Sequence, residues 1–169
     1  FDMLPITMDS SSGLKIRLKL FTVPGQVMHD ATRRLVLQAA DGVAFIADSQ
    51  LAEADANRES FLNLKKNLED NGIDPERIPI IIQFNKRDLD DIRSDEELAA
   101  IASQSREPIY KAIATRGYGV MQTLMGLIRE TWSKLEEEHD LEEKFGISPL
   151  RFMNEIESQL KHDARQAER

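Results

Sequence analysis

Cysteine is absent from the chain, and with it go disulfides, thiolate zinc sites, cysteine nucleophiles and any thiol for prenylation or palmitoylation within these residues. Basic residues are in deficit: 22 Lys and Arg stand against 30 Asp and Glu, a formal net charge of -8. A sequence-independent nucleic-acid binder needs the opposite balance, because Lys and Arg must displace phosphate counterions. Nucleic acid is therefore not expected as a partner, whereas one small nucleotide needs only a local positive site. No apolar run approaches the roughly 20 residues that span a bilayer, and no lipid anchor is expected. The opening Phe1-Asp2-Met3-Leu4-Pro5 lacks the basic and apolar regions of a signal peptide, so a cytoplasmic setting is expected. Phe1 is also not an initiator methionine, which predicts that the chain is cut from something longer. His29, His139 and His162 are scattered without metal-ligand spacing, and no metal site is expected from them.

What is present suits a packed domain, with 41% hydrophobic and 31% charged residues. Phe1 to Ile6 reads as a strand, and Ser10-Ser11-Ser12-Gly13 as a turn. From Leu14 to Phe21 the Leu and Ile residues alternate with Lys15, Arg17 and Lys19, the period-2 pattern of a strand with one wet face. Together these predict an antiparallel hairpin. Helical composition follows over Ala31 to Ala40, with Leu35 four residues after Ala31. Val43 to Ala47, ending in Asp48, and Ile78 to Phe84 are apolar runs of the kind buried on both faces of a parallel sheet. Between them Phe61, Leu64 and Leu68 mark a helix over Asn57 to Glu69. Ser94 is placed to cap a helix from Asp95 to Ala102. Ile109 to Ala114 is a further strand, and Val120 to Leu135 an amphipathic helix. This alternation predicts an α/β fold with a mostly parallel sheet and an antiparallel edge hairpin. The domain is expected over residues 1–135. An acidic tail and a last helix fill 136–169, with Ser148-Pro149 at the start of that helix and Leu150, Met153, Ile156 and Leu160 as its apolar stripe.

Chemistry gathers where strands end. In doubly wound sheets the loops at the C-terminal ends of the strands hold the ligand. Asn85-Lys86-Arg87-Asp88 follows one apolar strand directly. A carboxylate there can accept from both the N1–H and the exocyclic N2 amine of guanine, an arrangement adenine does not offer, so Asp88 would select the base. Asn85 would hold the loop or reach N7, and the Lys86 stem would cover the ring face. An ordinary charged strand-end turn is the plain alternative. In Pro24-Gly25-Gln26, Gly25 lets a backbone N–H approach a γ-phosphate and Gln26 can orient a water for in-line attack. By itself this is a Pro-Gly turn, and only its place beside the other loops favours chemistry. Ala114-Thr115-Arg116-Gly117 is the least specific of the three, a small-residue loop able to leave a backbone N–H for guanine O6.

With these loops in order the chain resembles the Ras-superfamily small GTPases, and among them the bacterial gliding-motility MglA family. The likeness rests on Phe1 to Pro5, Leu20-Phe21-Thr22-Val23-Pro24-Gly25-Gln26, Asp41-Gly42-Val43 leading to Ala47-Asp48-Ser49, and Ile82 to Leu89; it spans about residues 1–135. It implies a P-loop-NTPase-like three-layer sandwich and a GTP-hydrolysing switch acting in polarity or motility. It further implies GTP or GDP with Mg²⁺, and a roadblock-domain activating protein and motility effectors as partners. By the same likeness Asn85, Lys86 and Asp88 bind guanine, Ala114 and Thr115 flank it, and Gly25 and Gln26 belong to the second switch loop, with Gln26 catalytic. Thr22 stands where most of the superfamily has an Asp that helps hold Mg²⁺ through water, a departure the gliding family shares.

One signature is missing. No Gly-x-x-x-x-Gly-Lys-[Ser/Thr] occurs in the 169 residues, and that loop supplies the N–H nest and Lys for the phosphates. The resemblance also places the absent strand between the strand at Leu14–Phe21 and that at Val43–Ala47. The expectation is an N-terminally incomplete GTPase that alone binds GTP poorly. The alternative is a non-catalytic module that keeps the scaffold as a docking surface.

Overall fold

Alternating apolar and basic side chains over Lys15–Thr22 build strand β2, which pairs antiparallel with β1 (Asp2–Asp9) from Asp2↔Thr22 to Asp9↔Lys15. Leu18 and Leu20 are half-buried while Arg17 and Lys19 are exposed, as the period-2 pattern requires. The computed structural model describes residues 2–9, 13, 15–23 and 30–167. Pro24, Gly25, Gln26 and the Ser10 to Ser12 turn lie outside the described residues.

The chain divides into two units, Phe1–Pro24 with Trp132–Arg169 and Gly25–Thr131. In the first, the hairpin forms a two-stranded sheet of its own. Its helical part contains α5 (Leu141–Phe145) and α6 (Pro149–Ala167). Gly146, at φ 66°, ends α5, and Ser148 Oγ accepts the Arg151 N–H at 3.4 Å to cap α6. The buried stripe of α6 is Phe152, Ile156 and Leu160, whereas Leu150 is 73% exposed. The predicted stripe is thus shifted at its start. Phe152 stacks on Trp132 with ring centroids 3.7 Å apart, and that contact sets the phase of the helix.

The second unit is a parallel sheet in the order β3 (Val43–Asp48), β4 (Ile80–Asn85), β5 (Ile109–Lys111), in register from Val43↔Ile80 to Asp48↔Asn85 and from Ile82↔Ile109 to Phe84↔Lys111. The crossover from β3 to β4 carries α2 (Ala54–Asp70), whose Leu64 and Leu68 pack with Leu37, Ile78 and Ile80. That from β4 to β5 carries α3 (Asp95–Gln104), whose Leu98 packs with Ala47 and Phe84. Ser94 caps α3 as expected, and Glu97 returns the bond to the Ser94 N–H, closing a capping box. Other expectations shift. In α1 (Asp30–Leu37) the inward residues are Arg33 and Leu37, while Ala31 and Leu35 face out. In β3, Phe45 meets Phe61 at 5.1 Å but Ile46, pointing to the other face, is 52% exposed. An apolar run is therefore no proof of burial on both faces. Helix α4 (Val120–His139) runs four residues past the predicted end, through the first acidic residues of the tail. The described residues thus form a mixed α/β architecture, with three parallel strands in one unit and an antiparallel hairpin in the other.

Candidate functional site

Parallel strands bring their C-terminal ends to one rim, and in the second unit that rim gathers Asp48, the turn Asn85–Asp88 and the loop after β5. Asn85 closes β4, and its side-chain Oδ1 accepts the Ala114 N–H at 2.9 Å. The Arg87 N–H donates to the Ala112 carbonyl at 3.1 Å, and Ala112 is fully buried. Two predicted base-reading segments are therefore stitched together by side chain and backbone. The Ala114 N–H is thereby engaged within the protein.

The loop after β5 is shaped by glycine. Ala114–Arg116 makes one 3-10 turn, closed by Gly117 at φ 70°. Gly119, at φ 76°, lies so close to the Lys111 carbonyl that any Cβ would overlap it. The Ile113 N–H then bonds the Tyr118 carbonyl at 2.9 Å, which draws the loop back on itself.

Asp88 is partly shielded, its side chain 24% exposed, and Arg116 Nη2 lies 3.5 Å from its Oδ2. Arg87, its side chain only 11% exposed, is held within the protein: Nη1 donates to the Arg93 carbonyl at 2.6 Å and Nη2 to Asp95 at 2.8 Å. Asp95 also takes Lys111 Nζ at 2.9 Å. The Lys111 hydrogen bond, with the nearby Arg87, holds the Asp95 carboxyl below its ordinary pKa against a smaller effect of burial. Arg87, Asp95, Lys111 and Tyr118 line a small open cleft of about 240 Å³ whose charges are already paired.

Asp48 is a rim residue to which the sequence pattern assigned no site role. Its Oδ2 accepts Lys86 Nζ at 2.6 Å and its Oδ1 accepts the Gln50 N–H at 3.0 Å. Burial pulls its pKa upward, but those two bonds and the Lys86 charge outweigh it and hold the carboxyl low. The same hydrogen bond and charge raise the Lys86 ammonium above its usual pKa. Next to it Ser49, wholly buried, gives its N–H to the Asn85 carbonyl at 3.0 Å and accepts the Arg93 N–H at 2.9 Å. The available signal was the position of Asp48 at the end of an apolar strand.

The structure thus brings together Asn85, Lys86, Asp88, Ala114 and Thr115, while Gly25 and Gln26 lie outside the described residues. Among the described residues no group of three or more His, Cys, Asp or Glu is placed to hold a metal ion. No described helix is long and apolar enough to cross a membrane.

No family model matches the chain. It is 43% identical over 136 residues to the Mutual gliding-motility protein MglA of Myxococcus xanthus (strain DK1622), an overlap covering 80% of this chain and 70% of that protein.

Proposed function

Because the chain belongs to the MglA family of Ras-like small GTPases, we propose that its rim loops read the guanine base of GTP and GDP in a nucleotide-dependent switch. The Asp88 carboxylate accepts from guanine N1–H and the N2 amine. Asn85 turns its Nδ2 amine toward N7, its Oδ1 being committed to Ala114. The Lys86 stem covers one ring face. Guanine O6 is assigned to the Thr115 N–H, since that of Ala114 already donates to Asn85. The observation that carries this reading is the Asn85–Ala114 bond, which joins the two loops into one recognition surface.

Hydrolysis is assigned to Gln26 orienting the attacking water, with the Gly25 N–H near the γ-phosphate. Mg²⁺, which the family implies, would supply positive charge to the phosphates. The relative's name ties it to gliding motility. We extend that role to this protein as a cytoplasmic polarity or motility switch, completed by a roadblock-type activating partner and read by motility effectors.

A second reading is a docking module without catalysis, in which the scaffold serves as a surface for a partner. The coding sequence just upstream of Phe1 separates the two. A phosphate-loop motif there supports the enzyme, and a start codon next to Phe1 supports the module. The nucleotide reading itself is tested by competition binding on the protein made from its full reading frame. GTP and GDP are expected to displace a labelled guanine nucleotide and ATP is not; equal displacement by ATP would overturn it. The 169-residue chain alone is expected to bind GTP weakly, and tight Mg²⁺-dependent binding by it would refute that expectation.

A further inference from the structure

Lys86 leaves β4 beside Asp48, because Asp48 and Asn85 are register partners on adjacent parallel strands. Lys86 holds φ 63°, a conformation that is costly for a side-chain-bearing residue and persists where its surroundings fix it. Asp48 is itself fixed on all sides. Asn57 of α2 brackets its backbone, with Oδ1 accepting the Asp48 N–H at 3.0 Å and Nδ2 donating to the Asp48 carbonyl at 2.8 Å. Its two carboxylate oxygens have separate tasks, Oδ1 holding the Gln50 N–H and Oδ2 the Lys86 ammonium at 2.6 Å. The anchor is the shielded member, 17% exposed against 52% for Lys86.

We propose that Asp48 is a positioning residue for Lys86, pinning its ammonium across the ends of β3 and β4 so that the alkyl stem stands as a preset wall of the base site. The proposal rests on the guanine-reading function above. A free lysine loses much rotamer freedom when it covers a ligand, and immobilising it beforehand removes that loss from binding. An ordinary surface ion pair holds two mobile ends and contributes little. Here one end is fixed by three further hydrogen bonds.

The test is a double-mutant cycle on the protein from its full reading frame, with GDP and inosine diphosphate as the paired ligands and ADP as the control for base preference. Asp48→Asn keeps the shape and the acceptor for Gln50 but removes the charge that holds Lys86. It is expected to weaken both ligands about three- to ten-fold with their ratio unchanged. Lys86→Met is expected to cost at least as much, and the double variant no more than Lys86→Met alone. Additive losses, or a changed ratio showing that the Asp88 turn has moved, would overturn the proposal. If Asp48→Asn does not fold, the Lys86 ¹⁵Nζ resonance of the unaltered protein decides. Slow exchange of its protons with water supports the pin, and exchange like that of other surface lysines overturns it. A wild type that prefers GDP over ADP while Asp48→Asn matches it sinks only the positioning role. A wild type indifferent to the base sinks the guanine reading and this role with it.

Discussion

The Asn85 side chain accepts the Ala114 N–H at 2.9 Å across 29 residues of chain, so the end of β4 and the loop after β5 are tied together. Loops joined in this way can present a base-reading surface without first paying to order themselves, which is what preorganisation means for a small ligand.

That bond separates two variants. Asn85→Ala leaves the Ala114 N–H without its acceptor and is expected to lower stability by about 1–2 kcal/mol in urea denaturation, with GDP affinity falling as well. Asn85→Asp keeps an acceptor for Ala114 but loses the amine assigned to N7. Its stability is expected to stay near wild type while GDP affinity drops. Equal stability losses in both variants would detach Asn85 from the loop it is seen to hold.

Asp88→Asn exchanges an acceptor pair for an amide that also donates. Guanine then loses one partner, whereas xanthine, with a carbonyl in place of the 2-amine, gains a donor. GDP affinity is expected to fall about ten-fold or more and the preference for guanine over xanthine to shrink or reverse, by competition binding. An unchanged preference removes Asp88 from base reading.

Gln26→Leu keeps the bulk of the side chain but cannot orient a water. In the protein from its full reading frame, single-turnover GTP hydrolysis is expected to slow by about ten-fold or more while GDP affinity stays level. Unchanged turnover would take Gln26 out of the mechanism.

Gly117 and Gly119 share similar backbone angles, φ 70° and φ 76°, but not the same surroundings. A Cβ at Gly117 enters open space, and one at Gly119 collides with the Lys111 carbonyl and Ala112. Gly117→Ala is expected to cost about 1 kcal/mol of backbone strain, and Gly119→Ala about 3 kcal/mol or more, read as urea midpoints. Similar costs would show that the close approach at Gly119 relaxes freely.

Below the rim, Lys65 bridges Glu76 at 3.0 Å and Glu107 at 3.5 Å. The Lys65 hydrogen bond lowers the Glu76 pKa. At Glu107 burial raises it, but bonds from Ser105 and its own backbone, with Lys65, prevail and lower it. The Glu76 hydrogen bond raises Lys65. Lowered carboxyl pKa values mean stability that is present above the unfolded value of about 4.3 and is lost as pH falls through the folded one. The raised lysine gives stability that is present below about 10.4 and is lost as pH rises through its folded value. Urea midpoints are thus expected to be flat from pH 6 to 9 and to fall in acid, with a shallower acid fall for Lys65→Met. An acid limb unaltered in Lys65→Met would show that other carboxylates, such as Asp48 and Asp95, carry it.

Much of the fold was legible because its signals are local. The capping box at Ser94 and Glu97 is written in four consecutive residues, and Leu64 and Leu68 face the core as their spacing requires. Helix phase was less legible where two stripes competed. On α6 both Leu150 and Phe152 fit an apolar face, and contact with Trp132 chose Phe152. On α1 the buried residue beside Leu37 is Arg33, bonded to Asn63, and no periodicity argument would have put a cation inside.

By itself the sequence determined the order of strands and helices, and it placed Asn85, Lys86 and Asp88 where β4 ends, because turn chemistry and hydrophobic period act over a few neighbouring residues. It ran β5 on to Ala114, whereas that strand stops at Lys111 and Ala114 opens a 3-10 turn. Tertiary structure alone decided that Asp48 grips Lys86 from 38 residues away, and that the Ala114 N–H belongs to Asn85 rather than to a ligand. Such pairings follow from parallel strand register, which sets residues distant in the chain side by side and leaves no periodic trace along it.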